Sequence, residues 1–228
     1  MRASIIIRAF NAEATITDAI ESVLVQEFPA PDLEIIVIDD GSTDATGKLL
    51  EGYASHTNVR VIAQSNRGAV PAANAGFKAA TGTYVGLLDH DDTYEPQFLA
   101  ETTALFDADP KLDYVYTDYL ESYRGEKRTV ELKDLFQTIV DNALYRRSSL
   151  EAARWWREDV FFAEYDLLLR THESWAHGHI SRPLVNYNRR EGSLTADATR
   201  VEKALAQLSD LHPDKLDLIK RIRSYALR

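Results

Sequence analysis

The densest chemistry in the sequence is the tetrad Asp89-His90-Asp91-Asp92, which follows directly on the apolar run Tyr84–Leu88. Three carboxylates within four residues repel one another, and concentrating them calls for a cation. Hard divalent ions take oxygen ligands, and Mg²⁺ or Mn²⁺ typically uses one or two carboxylates together with substrate phosphates. On an extended strand end Asp89 and Asp91 point to the same side, so one can meet a ribose or a water while the other binds the ion. The same residues also suit a plain acidic turn in which Asp92 or Thr93 caps a following helix. A second cluster, Asp39-Asp40-Gly41-Ser42-Thr43-Asp44, closes another apolar run. There Gly41 permits a tight turn, and Ser42, Thr43 or Asp44 can cap a helix. Capping does not account for two carboxylates ahead of the glycine, and a carboxylate at that point can accept a hydrogen bond from a ring N–H such as that of uracil. Neither G-x-G-x-x-G after the first strand nor G-x-x-x-x-G-K-[ST] anywhere is present, which excludes the dinucleotide and P-loop fingerprints.

These clusters need elements to hold them. Strands are predicted at Ala3–Ile7, Glu34–Ile38, Val59–Ala63 and Tyr84–Leu88, and helices at Thr15–Gln26, Ala45–Tyr53 and Ala69–Ala79. Continuous apolar strands alternating with helices imply a mostly parallel central sheet flanked by helices, an α/β fold with a Rossmann-like nucleotide half. Ligands of such sheets bind beyond the carboxyl ends of the strands, where both acidic clusters fall. Past residue 95 the pattern changes to a helix at Pro96–Phe106, a strand at Asp113–Leu120 and a hairpin or mobile excursion at Glu121–Glu131 around Gly125. Residues 134–156 carry no clear period, 163–175 are helical, and His179–Ser181 and Pro183–Arg190 read as two strands around a turn. The tail from 199 reads as two helices broken near Pro213. The organisation is therefore a nucleotide-binding half over 1–95, a smaller mixed acceptor half of the same domain over 96–198, and a helical tail over 199–228.

The chain of 228 residues carries 26 Lys plus Arg against 36 Asp plus Glu, a net charge of −10. At about 150 residues per domain it is one domain or slightly more, and it can bury about 70% of its unfolded surface without staples. With no cysteine, disulfide frameworks, Cys-zinc sites, iron–sulfur clusters and thiol catalysis are excluded together. An acidic chain also argues against nucleic acid as a partner, since broad phosphate binding needs many cations. No apolar run approaches about 18 residues, and a cytoplasmic location is expected. Asp-based phosphoryl transfer would need a nucleophilic Asp after the first strand, where Arg8-Ala9-Phe10-Asn11 stands instead.

Four segments, S-I-I-I-R-A-F-N-A-E, I-I-V-I-D-D-G-S-T-D, Q-S-N-R-G-A-V-P-A-A-N-A-G-F-K-A-A-T-G and Y-V-G-L-L-D-H-D-D, resemble family 2 glycosyltransferases of the GT-A fold. The match runs in order over residues 4–92 and resumes at 159–195. It implies inverting transfer of a sugar from a nucleoside diphosphate sugar, usually UDP-linked, to a glycan or lipid-linked acceptor with Mg²⁺ or Mn²⁺. Carried over by position, Ala9 and Glu13 border the base and Asn11 orders that loop. Asp40 meets the uracil ring, Asn66 and Arg67 line the nucleotide cleft, and Asp89 and Asp91 form the D-x-D pair. For Asn66-Arg67-Gly68, a simple turn before a helix is the alternative.

Inversion needs a general base to take the acceptor hydroxyl's proton. The resemblance supplies it from A-E-D-Y-D-L-x-L-R, which here reads Ala163-Glu164-Tyr165-Asp166-Leu167-Leu168-Leu169-Arg170 with one residue missing. Glu164 takes the base position; Asp166 is two residues on, about 200° around the helix. Glu164 also suits a first-turn acid favoured by the helix dipole. Two further departures concern charge. Ala72-Ala73-Asn74 stands where the family often has A-R-N, and Arg190 in Y-N-R-R-E-G-S-L-T replaces a frequent His. Arg190 cannot ligate a cation but can pair with a diphosphate. These departures leave a second reading, a catalytically impaired sugar-nucleotide-binding relative acting as a partner subunit. Trp155, Trp156 and the tyrosines at 114, 116, 119 and 123 read either as a sugar platform or as core packing. The tail, with Lys220, Arg221 and Arg223 among apolar residues, reads either as a peripheral contact with the inner face of a membrane or as a packed surface helix.

Overall fold

The computed structural model describes residues 2–133, 135–137, 139, 142–190 and 197–226. Its centre is a nine-stranded mixed sheet in the order β3-β2-β1-β4-β8-β6-β9-β5, with β7 paired to β6. Strands β1 (Ala3–Ala9), β2 (Leu33–Asp39), β3 (Val59–Ala63) and β4 (Tyr84–Asp89) run parallel. Ile5, Ile6, Ile7, Ile35, Ile36 and Val37 are fully buried, as a sheet covered on both faces demands. Helix α1 (Ile16–Leu24) buries Ile16, Ala19, Ile20 and Val23, one stripe at helical spacing. Helix α3 (Ala69–Ala79) lies so close to β1 that a Cβ on Gly76 would strike the Ile6 side chain.

The second half extends the same sheet rather than starting another. Strand β8 (Ala143–Arg146) pairs antiparallel with β4 and with β6 (Leu112–Tyr123). In turn β6 pairs parallel with β9 (Ala176–Asn188) and antiparallel with β7 (Glu126–Val130), through a turn at Arg124 and Gly125 with positive φ at both. The 121–131 stretch is therefore a hairpin. Strand β5 (Thr93–Tyr94) closes the far edge on β9. Helix α4 (Phe98–Ala108) packs on β6 and β9, and α5 (Arg147–Ala152) follows β8. Helix α6 (Ala163–Thr171) then carries the acidic stretch, and α7 (Ala198–Leu211) and α8 (Leu216–Ala226) form the tail.

Several local expectations change. His179–Ser181 and Pro183–Asn188 belong to one continuous strand, not two around a turn, and it ends short of Arg189 and Arg190. Register shifts at Asp118 let Pro183, which has no amide to donate, sit within the pairing. Residues 134–156, unassigned from the sequence, include a short 3₁₀ turn at Leu135–Gln137 as well as β8 and α5. Neither Asp92 nor Thr93 caps a helix: α4 begins at Phe98, and Asp92 is buried with its Oδ1 accepting from the Asn188 amide at 2.7 Å. Tyr114 and Tyr119 are fully buried, so the core reading holds for them and the platform reading fails. In the tail, Ile219 and Ile222 are buried against the domain, leaving Lys220, Arg221 and Arg223 outward. Among the described residues, no helix is long and apolar enough to cross a membrane.

Gly41 joins the fold to the site. Its φ is 77°, in the left-handed region, and a Cβ there would lie 2.7 Å from the Asn66 amide nitrogen. The turn after β2 and the loop after β3 can touch only because this residue has no side chain. Gly41→Ala is therefore expected to cost about 1–3 kcal/mol. A thermal melt should show a drop of several degrees; an unchanged melting temperature would refute this account of the turn.

Candidate active site

The carboxyl ends of β1 to β4 open onto a cavity of about 950 Å³, at the upper end of the usual range for small-molecule sites. The structure brings Ala9, Asp40, Asn66, Arg67, Asp89, Asp91, Glu164 and Arg190 together on its walls. Asn11 and Glu13 stand outside that lining. Asn11, at φ 50°, accepts from the Thr43 amide at 2.8 Å and donates its own amide to Ser42 Oγ at 3.0 Å, which ties the loop after β1 to the turn after β2. Glu13, expected to border the base, instead accepts from the Ala45 amide at 2.8 Å, where α2 (Thr46–Glu51) begins. The helix's unpaired amides claim it, and Asp44 takes the Thr46 amide beside it.

Asp40 is buried, and its carboxylate accepts from the Arg67 amide at 2.9 Å, the Gly68 amide at 2.8 Å and Gln64 Nε2 at 2.7 Å. It thus lines the cavity and fixes the Asn66–Gly68 turn. Asn74, the polar residue retained in the Ala-Ala-Asn sequence, is buried and clamps Trp156 through both backbone groups. Its Nδ2 also reaches Glu158 at 3.2 Å, and Arg67 reaches Glu158 at 3.3 Å. One cavity wall is therefore tied to the nucleotide half by side-chain hydrogen bonds.

Asp89, Asp91 and Asp92 each offer an oxygen within 4.8 Å of the others. Burial, and then the charges of Asp89 and Asp91, hold the Asp92 carboxyl well above the ordinary range. Two guanidinium groups offset the cluster. Arg8, paired in register with Asp89 across β1 and β4, forms a two-point ion pair with it. Arg190 lies on Asp91 through Nε at 2.8 Å and Nη2 at 2.6 Å. His90 turns its Nδ1 to Thr15 Oγ1 at 2.8 Å, and burial lowers its pKa toward the neutral form. An oxygen-only donor set suits a hard divalent ion, so the residues fit Mg²⁺ or Mn²⁺.

Glu164 projects from the first turn of α6 into this cavity, half-buried. Desolvation pushes its carboxyl up to about 7; Arg8 pulls it down and Asp89 pushes it up by lesser amounts. Asp166 does different work. It is fully buried, accepts from Arg170 Nε at 2.8 Å, and meets His212 Nε2 of the tail at 2.9 Å. With Lys215 donating to the Leu169 carbonyl at 2.6 Å, it anchors the helix that presents Glu164.

Arg8 was not singled out from the sequence. Its signal was there: one cation near the end of an otherwise apolar strand, in register with the first residue of the acidic tetrad.

A mixed sheet whose parallel strands end on an oxygen-only acidic cluster has the architecture of a GT-A fold. A model of glycosyl transferase family 2 matches residues 4–154, and the chain belongs to that family. Among curated relatives it is 34% identical over 184 residues to the glycosyltransferase EpsJ of Bacillus subtilis, covering 71% of this chain and 53% of EpsJ. It is 42% identical over 115 residues to the chondroitin synthase of Escherichia coli, covering 50% of this chain and 16% of that one. The chain thus spans about half or less of the length of these relatives. Among solved structures it is similar to Staphylococcus aureus TarS 1-349 in complex with UDP-GlcNAc, with a TM-score of 0.83 and 20% identity, covering 99% of this chain and 73% of that one. A mannosyltransferase of Pyrobaculum calidifontis, in complex with GDP-Man and Mn²⁺, superimposes with a TM-score of 0.77 at 17% identity, covering 99% and 69%.

The raised Glu164 pKa has a sign that can be checked. Between pH 4.5 and about 7 the unfolded chain releases this proton before the folded one, so stability falls as pH rises through that window. At pH 8, Glu164→Gln is expected to be more stable than the parent by at most about 3 kcal/mol, with no gain at pH 4. Equal stability at both pH values would reject the perturbed carboxyl.

Proposed function

We propose that the protein is an inverting glycosyltransferase, moving a sugar from a nucleoside diphosphate sugar, UDP-linked by preference, to a glycan or lipid-linked acceptor. The observation that carries this reading is the Glu164 carboxyl, raised by desolvation to about 7, in the same cavity as the Asp89, Asp91 and Asp92 carboxylates. A general base works best when its pKa lies near the working pH. Ala9, Asp40 and the Asn66–Arg67 turn form the edge that receives the nucleoside, with Asn11 holding that edge in shape. Asp89 and Asp91, with Asp92 beside them, would hold Mg²⁺ or Mn²⁺, which supplies positive charge against the departing diphosphate. Arg190, beside the same acids, adds a fixed cation there. Glu164 takes the proton of the acceptor hydroxyl. The oxygen then bonds to the anomeric carbon from the face opposite the diphosphate, whose bond to that carbon breaks with its electron pair.

The competing reading, a nucleotide-sugar-binding subunit without turnover, is separated by one experiment. Diphosphate release from a panel of UDP-, GDP- and TDP-sugars is measured with Mn²⁺, and the anomer of any product is read by NMR. Turnover with inverted configuration is expected, with kcat falling about 10²- to 10⁴-fold in Glu164→Gln while nucleotide affinity is retained. A retained configuration, or unchanged turnover in Glu164→Gln, would overturn the mechanism. No turnover by the parent protein despite tight nucleotide binding favours the subunit reading.

A further inference from the structure

The helix that carries Glu164 starts without support of its own. Helix α6 begins at Ala163 after Phe162, and no side chain caps its first turn. Uncapped first-turn amides leave a helix end free to fray. Upstream, residues 153–162 contain neither helix nor strand, so no backbone ladder fixes them. Yet Trp156, Glu158, Asp159, Val160, Phe161 and Phe162 form a wall of the cavity that Glu164 faces. Side chains from three helices hold this stretch by its backbone. Arg170 of α6 donates Nη1 to the Ala153 carbonyl at 2.7 Å and Nη2 to the Trp155 carbonyl at 2.9 Å. Between those carbonyls Arg154 and Trp155 stand at φ 61° and 62°, a left-handed pair without glycine that persists only where its neighbours enforce it. Asn74 of α3 takes both backbone groups of Trp156. Gln207 of α7 repeats that pattern further on. Its Nε2 donates to the Asp159 carbonyl at 2.7 Å, and its Oε1 accepts from the Phe161 amide at 3.2 Å. Among the described residues, these are the side-chain hydrogen bonds to the loop that lie nearest the start of α6. A carboxamide suits the task, because it offers a donor and an acceptor to the peptide groups and brings no charge toward the carboxyl beyond them. Gln207 itself stands outside the cavity lining.

We propose that Gln207 is a positioning residue for Glu164: it fixes residues 159–161 and, through them, the first turn of α6, so that the tail completes the active site from outside the cavity. This rests on the transferase reading and on Glu164 as its base. A reacting group displaced by about 1 Å can lose about 10²-fold in rate, so two hydrogen bonds three to five residues before the base are enough to matter.

The test compares the whole parent chain with Gln207→Met, Glu164→Gln and the double variant. Methionine keeps the length of glutamine and removes both hydrogen bonds. Diphosphate release from the sugar nucleotide that the parent turns over is followed with Mn²⁺, and rates are divided by the number of nucleotide-binding sites found by titration. Gln207→Met is expected to keep its nucleotide affinity and donor KM within about twofold and to lose about tenfold in kcat. In the Glu164→Gln background the same change should cost less than about twofold, since a residue that acts through the base has nothing left to position. Amide hydrogen exchange supplies a reading that needs no turnover: residues 161–166 should exchange about tenfold faster in Gln207→Met, with the strands β1 to β4 unchanged. Unchanged kcat or unchanged exchange in Gln207→Met would overturn the proposal. So would an equal loss of kcat in both backgrounds, which would make Gln207 independent of the base, or a loss of nucleotide affinity, which would assign its effect to the donor side. No turnover of any sugar nucleotide by the parent, or full turnover in Glu164→Gln, would overturn the reading on which the proposal rests, and the proposal with it.

Discussion

The mutual repulsion of Asp89, Asp91 and Asp92 is the constraint on which the rest of the site depends. Three carboxylates meeting within 4.8 Å at a strand end can coexist only with positive charge around them. The fold supplies part of that charge from two directions: Arg8 from the neighbouring strand and Arg190 from just beyond the end of β9. A parallel pairing in which residue 8 faces residue 89 is thus an electrostatic arrangement as much as a packing one. The end of β9 is held close by Asn188, whose amide and side chain meet Asp92 and Asp91 at 2.7 Å each. The acidic cluster therefore joins the two halves of the sheet at the point where a ligand would lie.

The same economy governs the carboxylates of α6. Two acids two residues apart have opposite surroundings. Asp166 is sealed in the interior with Arg170 and His212, and it ties the tail to the helix. Glu164 faces the cavity with no such network among the described residues, and desolvation raises its carboxyl to about 7. Environment, rather than residue type, divides an anchoring carboxylate from one left near neutral pH, and the helical tail supports the helix that carries both.

Much of this was legible in the sequence, and the legible parts share a physical basis. The first four strands announced themselves because strands buried on both faces are continuous apolar runs, and the acidic clusters at their ends followed from the class of sheet. The helix that carries Glu164 was legible as a periodic stretch from residue 163. What was not legible depended on long-range pairing. Strand β9 looked interrupted because Pro183 and its polar neighbours mask a strand whose irregular register is set by Asp118 on its partner. The short strand β8 owes its conformation to β4 and β6 rather than to its own four residues. The partners of Glu13 and Asp92 were not legible for a related reason. Which backbone amides a carboxylate will satisfy depends on what the fold brings within 3 Å of it.

The central claim is that this cleft accepts a nucleoside diphosphate only when added cationic charge comes with it. Isothermal titration of UDP into the protein, with and without saturating Mn²⁺ at pH 7.5, tests that claim directly. The account predicts affinity about tenfold or more higher with the ion, and loss of that gain in Asp91→Asn. Equal affinity in the two titrations, or a gain that persists in Asp91→Asn, would contradict it.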